Sequence, residues 1–132
     1  MLIELNLKTS KREELIDITQ TIANEAQKNK IDSGICVIFT PHTTAAVTIN
    51  ENADPDVCTD MIKGLKDISP HDNGYFHGEG NSDAHIKSSL LGVSQTIIID
   101  RGELKLGTWQ GIYFCEFDGP RNRNIWLKII KS

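Results

Sequence analysis

Gly34 is followed by five apolar residues in succession, Ile35-Cys36-Val37-Ile38-Phe39. Such a run reads as a β-strand covered on both faces, so the chain has to supply a layer on either side of it. The flanking segments offer the material. Ile3 to Leu7 alternate apolar and polar, the period of a half-buried strand. Ser10 and Glu13 form an S-x-x-E capping box, and Leu15, Ile18, Ile22 and Ala26 follow at helical spacing, which predicts a helix from Lys11 to Asn29. Thr44 to Ile49 reads as a further strand. Asp54-Pro55 combines a capping carboxylate with a proline that needs no amide donor, and the helix it opens carries Val57, Met61, Leu65 and Ile68 until Ser69-Pro70.

The stretch from His71 to Asn81 is polar and contains Gly74, Gly78 and Gly80, the composition of a loop. Asn81 or Ser82 then starts a short helix through Leu91, closed by Gly92. The rest is β-rich: Val93 to Ile99, a turn at Asp100-Arg101-Gly102, Leu104 to Phe117, and Ile125 to Ile130. This order predicts one α+β domain over residues 1–132 with a mostly antiparallel sheet.

At 132 residues the chain fits a single hydrophobic core. A formal net charge of −4 argues against a broad nucleic-acid surface, which needs clustered Lys and Arg. No apolar run is long enough for a bilayer, and Met1 to Leu7 lacks the basic start of a signal peptide. Cys36, Cys58 and Cys115 are odd in number and far apart, which favours packed free thiols and a cytoplasmic setting.

Chemistry-bearing residues sit at the junctions. His42, His77 and His85 lie on separate elements, and three neutral imidazoles converging on one point would leave an open position for catalysis on a bound zinc. Their spacings match no local zinc motif, so hydrogen-bonded structural histidines are the competing reading. His71, beside Pro70, reads as a bystander. Glu51 and Asn52 stand where a strand gives way to a helix and are needed by neither the turn nor the cap, whereas Asp54 is the cap itself. Asp83 and Lys87 flank His85 at a helix start, where free amides favour an anion. Gly107-Thr108-Trp109-Gln110-Gly111 breaks a strand pattern and offers an indole for stacking or for the core. Asp118-Gly119-Pro120-Arg121-Asn122-Arg123 is a turn presenting two guanidinium groups able to grip phosphate. No Walker A loop, dinucleotide fingerprint, G-x-S-x-G elbow or H-E-x-x-H helix occurs.

Several of these stretches together resemble the YjbQ-like family, whose members are also called the secondary thiamine-phosphate synthase enzyme family. The similar segments are His42-Thr43-Thr44-Ala45, Thr48 through Val57, Ala84 through Gly92, Leu106 through Tyr113, and Asp118-Gly119-Pro120-Arg121. They run in order over nearly the whole chain. The resemblance implies an α/β sandwich, a homotrimer, and a site near the subunit boundary. It implies His42, His77 and His85 as ligands of a divalent metal, zinc or magnesium. It also favours Glu51, Asn52, Asp54, Lys87, Gln110, Glu116 and Arg121 as site residues without fixing a role for each. The roles expected here are Glu51, Asp54 and Asp83 as catalytic carboxylates and Thr43, Asn52, Lys87, Trp109, Gln110, Glu116 and Arg121 as substrate-binding residues. The associated activity joins a pyrimidine diphosphate to a thiazole phosphate, giving thiamine phosphate and releasing pyrophosphate. A metal-dependent phosphate-ester hydrolase and a non-catalytic ligand-binding trimer are the alternatives.

Overall fold

The computed structural model describes residues 2–132 and folds them into two antiparallel sheets and three helices. The first sheet contains β1 (Leu2–Lys8), β8 (Asn122–Lys131), β3 (Gly34–Phe39), β5 (Ser94–Asp100) and β6 (Glu103–Leu104), in that order. The second contains β2 (Glu14–Asp17), β7 (Gln110–Glu116) and β4 (Ala45–Glu51). Between the sheets lies the main core, with Cys36, Ile38, Ile97, Ile99, Ile125 and Leu127 from the first sheet packed with Ala45, Val47, Ile112 and Phe114 from the second. Helix α1 (Thr19–Lys28) closes this core with Ile22 and Ala26. Helices α2 (Pro55–Ile68) and α3 (Ser82–Leu91) cover the other face of the second sheet, where Ala46, Tyr113, Cys115 and Phe117 meet Ala84, Leu65 and Leu91. The α+β class and the antiparallel pairing expected from the element order are both present.

Three expectations need correction. The helix predicted from Lys11 begins only at Thr19, because Glu14 to Asp17 pairs with β7 as a strand. The Asp17 carboxylate accepts from both the amide and the hydroxyl of Thr19 (2.9 and 2.6 Å), so the true start signal is Asp17-x-Thr19. Ser10 pairs with Glu14 instead of Glu13. The single strand expected from Leu104 to Phe117 is two strands in different sheets, separated by a turn in which the Gln110 amide donates to the Gly107 carbonyl at 3.1 Å. The run Ile35 to Phe39 is buried on only one face within the chain: Cys36 and Ile38 are sealed, while Phe39, with Ile98 and Ile130 on neighbouring strands, is exposed on the outer face of the first sheet.

Gly34 is fixed by close approach. A Cβ there would stand 2.1 Å from the carbonyl oxygen of Ile130, in the strand paired with β3. No described helix is long and apolar enough to cross a membrane.

Candidate functional site

The sandwich ends in a polar cavity of about 450 Å³ built by three connections. The β3–β4 turn supplies His42, Thr43 and Thr44; the loop before α3 supplies His77 and Glu79, and α3 with its cap supplies Asn81 and His85; the β7–β8 turn supplies Asp118 and Arg121, and the start of β8 supplies Arg123. The structure therefore brings His42, Thr43, His77, His85 and Arg121 together, although they span some eighty positions of sequence.

An ion pair lies beneath this cavity. Glu116 is fully buried and Arg123 is 3% exposed, and they are joined by two hydrogen bonds, one from Nε at 2.8 Å and one from Nη2. Arg123 Nη2 also donates to the hydroxyl of Thr44 (2.9 Å), and Glu116 accepts from the Thr9 hydroxyl (2.8 Å) and the Asp118 amide (3.1 Å). Burial alone would raise the Glu116 pKa. The bonds from Arg123, Asp118 and Thr9 outweigh it and hold the carboxyl below its ordinary value. Both connections from the strand ends are thus tied to one carboxylate.

His42 is held as the neutral imidazole. Burial lowers its pKa first, the Arg123 charge lowers it further, and Glu116 opposes both. Its Nε2 accepts the Asn124 amide at 2.9 Å, so the neutral ring carries its proton on Nδ1. His77 and His85 stand edge to face with centroids 5.6 Å apart. Arg121 donates Nε–H to the Asp118 carbonyl (2.8 Å) and one Nη2–H to its carboxylate (3.1 Å). A guanidinium has five N–H groups, so three of them remain for a ligand. Asn81, 8% exposed, donates to Asp118 at 2.8 Å, while its Oδ1 is buried without a partner.

Asp83 and Lys87 belong to a different cluster. Lys87, expected to meet solvent or phosphate, is 1% exposed and donates to Glu13 (2.6 Å) and Asp83 (3.2 Å). Asp83 also accepts two bonds from Arg12 and faces His71 Nδ1 at 3.2 Å. Burial would raise its pKa, but these donors prevail and push it far down, so this carboxylate is saturated and ionised. A neighbouring cavity of about 490 Å³ is lined by Arg12, Glu13, Lys66, Pro70, His71 and Lys87.

Glu51, Asn52, Asp54, Trp109 and Gln110 gather elsewhere, around the far end of β4. Six residue steps of β4 separate Ala45 from Glu51, about 20 Å at strand rise. Asp54 caps α2 through the Asp56 amide (2.9 Å), as expected. Asn52 donates to Asp17 at 3.2 Å, and Gln110 Oε1 accepts the Gly107 amide at 2.8 Å. Trp109 is 63% exposed and takes no part in the core. Glu79 and Asn81 were not singled out as site residues by sequence reasoning, nor was Glu13 as the partner of Lys87 or Arg12 as the partner of Asp83. An asparagine just before a short helix was the one available hint for Asn81.

Glu116→Gln removes the charge partner of a buried arginine and should cost about 3–5 kcal/mol in urea unfolding at pH 7. The depressed Glu116 pKa gives stability that is present above the ordinary carboxylate value and lost as pH falls through the folded value. Wild-type unfolding midpoints should therefore fall steeply on acidification below about pH 4.5, and the variant's should fall less. Equal slopes for the two proteins would remove Glu116 from this role.

The family model "UPF0047 protein YjbQ-like" matches residues 3–132. UPF0047 protein MJ1081 of Methanocaldococcus jannaschii is 58% identical, covering 98% of this chain and 94% of its own length. UPF0047 protein YugU of Bacillus subtilis is 52% identical, covering 98% and 99%. A crystal structure of a YjbQ/UPF0047 family protein from Clostridium acetobutylicum superposes with a TM-score of 0.95 at 55% identity, covering 97% of this chain and 99% of that one. A YbjQ-like protein of unknown function from Sulfolobus solfataricus also reaches 0.95, at 31% identity, covering 100% and 97%. With nearly full-length coverage in sequence and in structure, the chain belongs to the YjbQ-like UPF0047 family.

Proposed function

We propose that the polar cavity binds the phosphate or diphosphate group of a small organic molecule, and that the protein is a transferase acting on such molecules. The supporting observation is the convergence of His42, His77, His85 and Arg121 on one cavity of about 450 Å³. Arg121 offers a guanidinium with donors to spare, and neutral His42 offers one N–H without adding charge. Such donors take up the charge that develops on a departing diphosphate. The finer reading is the thiamine-phosphate synthase-like reaction, in which a pyrimidine diphosphate is joined to a thiazole phosphate and pyrophosphate leaves. Calorimetric titration with pyrophosphate should give saturable binding that weakens at least about tenfold in Arg121→Ala, the loss of one or two charge-assisted hydrogen bonds. In a pyrophosphate-release assay with both thiamine precursors, turnover no greater than that of His42→Ala would reject the transferase reading.

A divalent metal, zinc or magnesium, is the second element of this reading. With ring centroids 5.6 Å apart, His77 and His85 are close enough for both to be ligands of one ion, through bonds of about 2.1 Å. His42 fits less well: its Nε2 lone pair is engaged by Asn124, and no group of three ligating side chains is preassembled among the described residues. An ion held by His77 and His85 would supply Lewis-acid polarisation of a phosphoryl oxygen, which also underlies the alternative of a phosphate-ester hydrolase. Zinc titration of untagged protein should give one tight equivalent per chain, lost in His85→Ala. Retention of that equivalent in the variant would move the metal away from this pair.

Within one chain, Glu51 and His42 are too far apart to touch the same small ligand. A reaction that uses both needs two protomers, and a homotrimer is the assembly we propose. Mixing inactive Glu51→Gln and His85→Ala proteins after partial denaturation should restore activity through mixed trimers. No recovery, or a monomeric sedimentation profile, would confine the chemistry to a single chain's cavity; a trimer with the cavity but without turnover would favour ligand binding alone.

A further inference from the structure

The loop ahead of α3 leaves an aromatic ring in solvent for which the fold provides no cover. Phe76 is fully exposed and Ile86, on the first turns of α3, is 39% exposed. Together with Gly74, Tyr75 and Ser82 they line an open recess of about 580 Å³, within the size range of small-molecule sites. Tyr75 is anchored: its hydroxyl donates to the Pro70 carbonyl at 2.7 Å, so this wall is set in place before any ligand arrives.

The recess is not isolated. His77 and His85 line it and also line the polar cavity that carries Arg121. Two imidazoles are therefore a shared partition between an apolar room and a polar one. A ligand filling both must carry an anionic group at one end and an apolar, flat body at the other. Its link must be short, because the two spaces meet at side chains only 5.6 Å apart.

We propose that Tyr75, Phe76 and Ile86 form a specificity subsite for the apolar body of the ligand whose phosphate occupies the polar cavity. The substrate class is then an aromatic or apolar phosphate monoester or diphosphate, and polyhydroxylated sugar phosphates are disfavoured, because their hydroxyls would find no partner against Phe76 and Ile86. This inference rests on the phosphate reading of the polar cavity. Phe76 sets which body is accepted; Arg121 holds the charge that all such ligands share.

The test compares methyl phosphate with phenyl phosphate, titrated into the full chain by calorimetry. Phenyl phosphate should bind about tenfold tighter in the wild type, and Phe76→Ser should bring it down to the methyl phosphate level. Arg121→Ala should weaken both. Equal affinities for the two monoesters in the wild type, or a preference that survives Phe76→Ser, overturn the subsite while leaving the phosphate reading intact. No binding of either monoester overturns both readings. A Phe76→Ser variant that changes sedimentation while keeping its preference for phenyl phosphate assigns the ring to contact with another copy and overturns the subsite.

Discussion

Glu116 and Arg123 sit on consecutive strands that belong to different sheets, and their pairing is the constraint from which the site follows. Two ions inside a sandwich lose far more hydration than one contact returns, unless every remaining donor and acceptor is also engaged. Here Thr9 and the Asp118 amide meet that need for the carboxylate, and Thr44 accepts a further N–H of the guanidinium. Those partners come from the end of β1, the β3–β4 turn and the β7–β8 turn. Fixing the pair therefore fixes the backbone from which His42, Thr43 and Arg121 project. It also contributes to the state of His42, where burial first, and then the charge of the guanidinium that holds the turn, disfavour a second positive charge.

A second charged network does the corresponding work on the helical side. Asp83 and Lys87, one turn apart on α3, bind Arg12 and Glu13 from the segment before β2. The helix that carries His85 is thereby locked against the sheet, with Ala84 packed between. Polar residues near the cavity thus divide into two kinds. The carboxylates of Glu116 and Asp83 are occupied by protein donors, and Arg123 and Lys87 are bound to them as ion pairs. Arg121 and the Asn81 oxygen retain capacity for something else.

How much of this was legible beforehand depends on how local the signal was. Asp54-Pro55 announced α2 because capping is decided within three residues; the α3 boundaries also fall at Asn81 and Gly92 as expected, although the Asn81 side chain turns to Asp118 and caps nothing. The stretch from Lys11 to Asp17 misled because Leu15 and Ile18 fit a helical period as well as a strand, and only pairing with β7 across a hundred residues decides between them. The histidines drew attention by residue type, and Arg121 by its turn. The separation of Glu51 from His42 was invisible, because the orientation of β4 relative to the cavity is a property of the assembled sheets. Lys87 looked exposed for the reason most lysines are, and only Glu13 and Asp83 meeting around it reverse that default.

The segment between Pro70 and Asn81 is moored at its two ends, by Tyr75 to Pro70 and by Asn81 to Asp118, while residues from His71 to Gly80 other than Tyr75 lie exposed and contribute nothing to either core. Apart from His71, which faces Asp83, and Tyr75, recolouring that span leaves the sandwich and the Glu116–Arg123 pair untouched. The rim of the cavity can therefore change its chemistry at little cost in foldedness, because the sandwich does not lean on it.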